Sequence, residues 1–269
     1  MANQPVIPHT WNVGDEEALA KELRQLTDSQ RLWVNAVISQ FKLPHDFQRN
    51  QNSDWITDPV LQRIGDALRI HHAFSRQPLT KDRFEFAFES SLNLSGIKTC
   101  LVTSRTNRGH DITIAGVHVC LKTEAAAQIR PNTIHVSKWM ELGRGEWSLP
   151  LLLNHFLEHL KGYERIFTLR CLQAGPITFK YELVEIPKAL LKEAEKCQLQ
   201  VMENSKQTPK PGYGYVTDQC GEQKFSLYFD GGTERKLQIK HLRKSYCTVH
   251  ASWTFDSKSL GEVAELSPL

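Results

Sequence analysis

The stretch HDITIAGVHVCLKTEA, residues 110–125, decides the fold. Asp111 opens a short alternating run, Gly116 breaks it, and a second run, VHVCLKTE (117–124), resumes the alternation. Successive side chains of a strand point to opposite faces, so Val117, Val119, Leu121 and Thr123 share one face and His118, Cys120, Lys122 and Glu124 share the other. The first set suits a core. The second puts a lysine between a cysteine and a glutamate. In a tight hairpin Asp111 and Lys122 both lie at the end away from the turn, where they can come close.

The preceding segment, KDRFEFAFESSLNL (81–94), reads as a helix. It carries Glu85 and Glu89, four residues apart and therefore on one helical face. An acid on this helix can lean over the same sheet end. The result is one or two carboxylates from a helix, one from a strand, and a lysine on the next strand. Oxygen ligands of this kind hold a hard divalent ion such as Mg²⁺, with water and a substrate phosphate in the remaining positions. Such an ion activates water and neutralises phosphoryl charge, while a lysine beside it orients the nucleophile.

Outward from this stretch the chain divides by period. Residues 15–42 read as two helices, the second opened by a Thr27–Gln30 capping box. The polar segment PHDFQRNQNSD (44–54) reads as a loop, and 58–74 as a third helix. IKTCLVTSR (97–105) is strand-like and TNRG (106–109) a turn. A helical segment is expected around 137–160, from SKWMEL through LPLLLNHFLEHL. Then come the strands ERIFTLRCL (164–172) and ITFKYELVEI (177–186), joined by a Gly175–Pro176 turn, and a short helix from Pro187. The tail from 206 alternates in four short runs between turn residues, the pattern of an antiparallel sheet. The expected organisation is a helical subdomain at 1–78, a mixed α/β core at 79–200 with helices covering a sheet, and a β extension at 201–269.

Composition excludes several classes. The chain has 269 residues, 40% of them apolar and 23% charged, as a globular protein does, and its net charge of +3 is too small by itself to imply a polyanionic partner. The charge is uneven: residues 206–250 hold eight Lys/Arg against four acids, either a solvated face or a phosphate-backbone footprint. Six scattered cysteines form no C-x-x-C pair, so reduced, buried thiols in a cytoplasmic protein are expected. The N-terminus lacks a secretory pattern, and no apolar run approaches the roughly 20 residues that span a bilayer. GRGEW (143–147) lacks the Gly-Lys-Ser/Thr ending of a phosphate loop.

The order helix–strand–strand–strand–helix–strand, with an acid opening the second strand and a lysine on the third, resembles the PD-(D/E)XK nuclease superfamily, to which type II restriction endonucleases belong. The D…G…LKT run is also similar to the corresponding segment of the mismatch-repair nicking endonuclease. The resemblance covers roughly residues 80–185 and implies a restriction-endonuclease-like fold and Mg²⁺-dependent, site-specific cleavage of double-stranded DNA. It implies a bacterial or archaeal cytoplasmic setting and a homodimer. By position, Asp111 matches the metal-binding aspartate and Lys122 the catalytic lysine, with Glu89, or Glu85 if the helix is rotated, as the helix acid. The chain departs from the pattern at Cys120, where the family has Asp or Glu two residues before the lysine, and a thiol is a poor Mg²⁺ ligand. Cys120 occupies the ligand position all the same. The missing carboxylate then comes from Glu89 or Glu124, or Asp111 holds the ion with carbonyl and water, or the site is inactive.

The bland readings stand beside these. Asp111 can be a turn cap, Lys122 an edge-strand guard and Glu89 a solvated helix residue. In the tail, Lys236, Lys240, Arg243 and Lys244 are the expected phosphate contacts. The alternatives to a restriction enzyme are a nicking or repair nuclease of the same fold, and a DNA-binding protein that has lost the chemistry.

Overall fold

The computed structural model describes residues 12–102, 109–126 and 129–258. The expected turn at 106–109 and the end of the strand before it lie almost wholly outside them. In chain order the elements are α1 (Val13–Gln25), α2 (Asp28–Phe41), β1 (His45–Arg49), α3 (Asp58–Phe74), α4 (Lys81–Asn93), β2 (Thr99–Leu101), β3 (Ile112–Ile114), β4 (Val117–Glu124) and β5 (Thr133–Glu141). They continue with α5 (Leu149–His159), β6 (Arg165–Ala174), β7 (Thr178–Glu185), α6 (Lys188–Lys192), β8 (Gln198–Val201), β9 (Gly212–Thr217), β10 (Gln223–Asp230), β11 (Lys236–Arg243) and β12 (Thr248–Asp256). The Thr27 hydroxyl and Gln30 side chain exchange hydrogen bonds with each other's backbone, the capping box that starts α2.

Two sheets organise the chain. A seven-stranded sheet has the order β1-β12-β7-β6-β4-β3-β2, antiparallel throughout except for the parallel pair β4–β6. A five-stranded antiparallel sheet has the order β5-β11-β10-β9-β8. The parallel pair requires a crossover. Here β5 and α5 supply it, and β5 leaves to found the second sheet.

Alternation along each strand builds a core on both faces of the large sheet. On one, Val60, Ile64 and Leu68 of α3 and Phe84, Phe88 and Leu92 of α4 cover Ile112, Ile114, Val119, Leu121, Leu169 and Phe255. On the other, Leu152 and Phe156 of α5 lie with Cys120, Ile166 and Val184 of the large sheet and Trp139, Phe225, Leu227 and Ile239 of the small one. Full burial of a side chain such as Phe88 contributes about 2–3 kcal/mol. A glycine fixes where β1 sits: a Cβ on Gly65 would lie 2.1 Å from the Phe47 ring, so only hydrogen lets β1 approach α3.

The mixed α/β sheet flanked by helices, the helical N-terminal region and the C-terminal antiparallel strands agree with the expected class. Four details differ. The polar loop contains β1, an edge strand paired with β12 whose side chains stay partly exposed, so it shows little alternation. SKWMEL is not helical: Ile134, Val136 and Trp139 are buried in β5 as the strand's apolar face, and the helix starts only at Leu149. That strand makes four, rather than the predicted three, between α4 and α5. The tail strands divide, β9 to β11 joining the small sheet and β12 returning to the large one. All six cysteines are free, and Cys100 and Cys220 are exposed rather than buried. Among the described residues no helix is long and apolar enough to cross a membrane.

Candidate active site

The β3–β4 hairpin turns through Ala115 (φ 49°) and Gly116 (φ 87°). Two central residues with positive φ make the primed turn that matches strand twist and fixes register. Ile114 therefore pairs with Val117 and Ile112 with Val119. One step beyond, the Asp111 backbone N–H still donates to Val119 O at 2.9 Å. There the ladder ends, and the Asp111 side chain takes over. Its Oδ2 accepts from the Leu121 N–H at 2.6 Å.

Asp111 is thus locked by one oxygen and offers the other. Oδ1 accepts from Lys81 Nζ at 2.7 Å, and the same ammonium lies 2.9 Å from Glu85 Oε1. Lys81 is the first residue of α4 and Glu85 stands one turn on, so the helix delivers an acid and a cation together to the sheet end. Burial pushes the Asp111 carboxyl up, but Lys122, Lys81 and the Leu121 amide more than offset it and hold it below the usual range. Burial works against the Lys81 charge, yet Asp111 and Glu85 keep it protonated beyond an ordinary lysine. Glu85 is raised by burial and by Asp111, against the pull of Lys81.

Lys122 is 9% exposed and stands behind this pair on the face that Asp111 shares. Its Nζ lies 5.4 Å from the centre of the Trp139 ring, and Cys120 stands two residues before it on the same face of β4. The thiol is fully buried against the α5 core, and burial pushes it up to about 11, with Lys122 opposing. It is protonated at neutral pH. His159, at the end of α5, bonds Tyr163 Oη at 3.1 Å. Burial and then Lys122 push His159 down to about 4, so it is neutral. Next to Asp111, the rings of His110 and His118 stack at 3.9 Å.

The sequence-predicted residues divide. Asp111 and Lys122 come together. Of the helix acids, Glu85 joins them, while Glu89 Oε1 accepts from the Leu101 N–H at 2.8 Å and so secures β2 to α4. Glu124 turns away into a buried ion cluster, with Oε2 2.5 Å from Arg170 Nε and Oε1 accepting from the His135 N–H. Lys236 pairs with Glu234, Arg243 with Glu222, and Lys244 with the buried Glu182, while Lys240 lies 3.8 Å from the centre of the Tyr228 ring. None of these four bonds to Asp111, Glu85, Lys81 or Lys122. Sequence reasoning missed Lys81, His159 and Tyr163. Lys81 had a signal: a cation at a helix N-terminus opposes the helix dipole, and Lys four residues before Glu is the weaker orientation of that pair.

Among the described residues no three His, Cys, Asp or Glu side chains cluster into a ready-made metal cage. Mg²⁺ does not require one, since it is commonly held by one or two carboxylates with waters and substrate phosphates. Asp111 and Glu85 meet that description, and the Lys81 ammonium between them is a stand-in cation showing that their oxygens converge. The residues present fit such an ion.

Comparison with known proteins agrees. No solved structure matches the chain. The type II restriction enzyme SmaI of Serratia marcescens is 55% identical over 223 residues, which cover 83% of this chain and 88% of that protein. The profile of the SmaI family, described as type II site-specific deoxyribonuclease, matches residues 19–255. With a match of this extent over both sheets and every residue of the site, the chain belongs to the SmaI family of type II restriction endonucleases.

Proposed function

We propose that the chain cleaves both strands of double-stranded DNA with Mg²⁺ held by Asp111 and Glu85, and with Lys122 beside the attacking water. The observation that carries this reading is the convergence of Asp111 Oδ1 and Glu85 Oε1 on one ammonium, with a buried lysine on the same face. When bound, the ion lowers the pKa of a coordinated water and neutralises charge on the phosphoryl oxygens. The remaining work falls to the chain. The Leu121 N–H stops the Asp111 carboxylate from rotating, so its free oxygen is pre-aimed. Lys122 donates to the water or to a non-bridging phosphoryl oxygen, and the Trp139 ring beside it limits the screening of its charge. Glu85 takes the part that the resemblance gives to a carboxylate two residues before the lysine, and Cys120, protonated and buried, binds no metal. Glu89 holds the helix to the sheet.

Lys236, Lys240 and Arg243 serve as phosphate contacts, because the acids that now pair with Lys236 and Arg243 are themselves well exposed and yield readily to DNA. Lys244 is tied to a buried carboxylate and contributes least. The working unit is a homodimer. In support, Leu32, Trp33, Ile70 and Phe74 leave an apolar patch open on α2 and α3, with Trp33 stacked on Phe74.

The test is plasmid cleavage with Mg²⁺. Wild type gives discrete fragments. Lys122→Ala abolishes cutting, by a factor on the order of 10³ or more, and retains the DNA gel shift. Normal cutting by Lys122→Ala refutes the role given to this lysine.

A further inference from the structure

We propose that Lys81 is a tethered cation that occupies the metal position in the DNA-free enzyme, so that a divalent ion enters only by displacing it. The inference rests on the metal reading above. Its basis is placement. One ammonium sits 2.7 Å from Asp111 Oδ1 and 2.9 Å from Glu85 Oε1, the two oxygens that the ion requires. A divalent ion there and an ammonium bridging the same pair repel each other at contact distance, so both cannot stay.

Two features argue against a merely structural bridge. Local energetics disfavour a lysine at this position: it opens a helix, where the dipole favours anions, and it precedes its glutamate in the weaker orientation. Departures from local rules of this kind concentrate at functional sites. The exit is also open. The Lys81 side chain is 37% exposed, against 22% for Asp111 and 20% for Glu85, so it can swing into solvent while the carboxylates stay. Held in place, it neutralises two carboxylates that would otherwise repel each other. Displaced, it leaves a positive charge at the mouth of the site.

Calorimetric titration of Ca²⁺ into the DNA-free protein tests this without reference to cleavage. Lys81→Met and Lys81→Gln are expected to bind Ca²⁺ at least about tenfold more tightly than wild type, because the competitor is gone and the site gains net negative charge. Adding Asp111→Asn to Lys81→Met removes the gain. Equal or weaker Ca²⁺ binding by both Lys81 variants overturns the proposal while leaving the metal site standing. Ca²⁺ binding that is insensitive to Asp111→Asn removes the metal reading itself, and the proposal with it. If the variants fold poorly, pulsed acetylation of wild type decides, with labelling at Lys81 read by peptide mass spectrometry. At Ca²⁺ concentrations that saturate the calorimetric signal, faster modification supports displacement and an unchanged rate refutes it.

Discussion

Arg170 of β6 permits a sharp test of how the strand carrying Lys122 is held. Its guanidinium is fully buried and every donor is used. Nε reaches Glu124 at 2.5 Å, one terminal nitrogen bonds Glu182 and Pro131 O, and the other bonds Arg130 O at 2.8 Å and Thr133 O at 2.7 Å. Arg170→Met keeps roughly the volume and removes all of these. Glu182 retains Lys244 at 2.9 Å, but Glu124 keeps only the His135 amide and becomes a buried, uncompensated carboxylate. Breaking one partner of a buried pair costs about 3–5 kcal/mol, and stranded carbonyls add to it, so a loss of about 4 kcal/mol or more is expected. That is a large share of the roughly 5–15 kcal/mol that holds a domain together. Urea unfolding followed by tryptophan fluorescence reads it as a lower midpoint at an unchanged slope. Adding Glu124→Gln should recover part of the loss, because it removes the stranded charge. A loss under about 1 kcal/mol, or no recovery in the double variant, refutes the argument that Arg170 balances buried charge.

Three other outcomes follow from the same geometry. Glu85→Gln should lower the cleavage rate by a factor on the order of 10² or more, since it removes a proposed ion ligand, whereas Glu89→Gln should act mainly on stability, by about 1 kcal/mol; the reverse ranking would move the helix acid one turn along. Burial opposes ionisation of Glu185, but Arg165 and His250 bring it down to about 2, below the ordinary value of 4.5. Its stabilising share is therefore present above about pH 4.5 and lost as pH falls towards about 2, on the order of 1–3 kcal/mol after screening, and Glu185→Gln should flatten that acid limb in pH-dependent melts. Wild type should sediment as the proposed dimer and Trp33→Asp as a monomer; a monomeric wild type refutes the dimer, and an unchanged dimer in the variant refutes this contact.

What could be read from the sequence follows from which forces are local. The β3–β4 hairpin was legible because one turn residue and period-two alternation dictate register, and register alone puts Asp111 and Lys122 on one face. The helices were legible from caps and apolar spacing. β1 was not: its polar residues hydrogen-bond at a sheet edge, and only Gly65 and β12, far along the chain, make it a strand. β5 failed for a related reason. Trp139 and its neighbours fit either period, and the partner that decides, β11, lies about a hundred residues away. The choice between Glu85 and Glu89 turns on helix rotation, which tertiary packing sets. Lys81 was overlooked because helix propensity and charge pairing, taken locally, give it no favourable role.

The departure at Cys120 then has a physical account. In β4 Cys120 belongs to the buried α5-side core together with Trp139, Phe156, Tyr163 and Ile166. A carboxylate there would be deeply buried and close to the Asp111 carboxylate, and burying a charge costs several kcal/mol. A neutral thiol avoids that cost. The second carboxylate of the proposed site is Glu85, which α4 brings towards the end of β3 beside Asp111. This arrangement puts the proposed ion between Asp111 and Glu85, with Lys122 close to Asp111 on its buried side. Cys120→Glu should therefore destabilise the fold without raising activity, and it should fail to rescue Glu85→Gln in the plasmid assay. Rescue would mean that position 120 can reach the ion, and would return the ligand set to the pattern that the hairpin resembles.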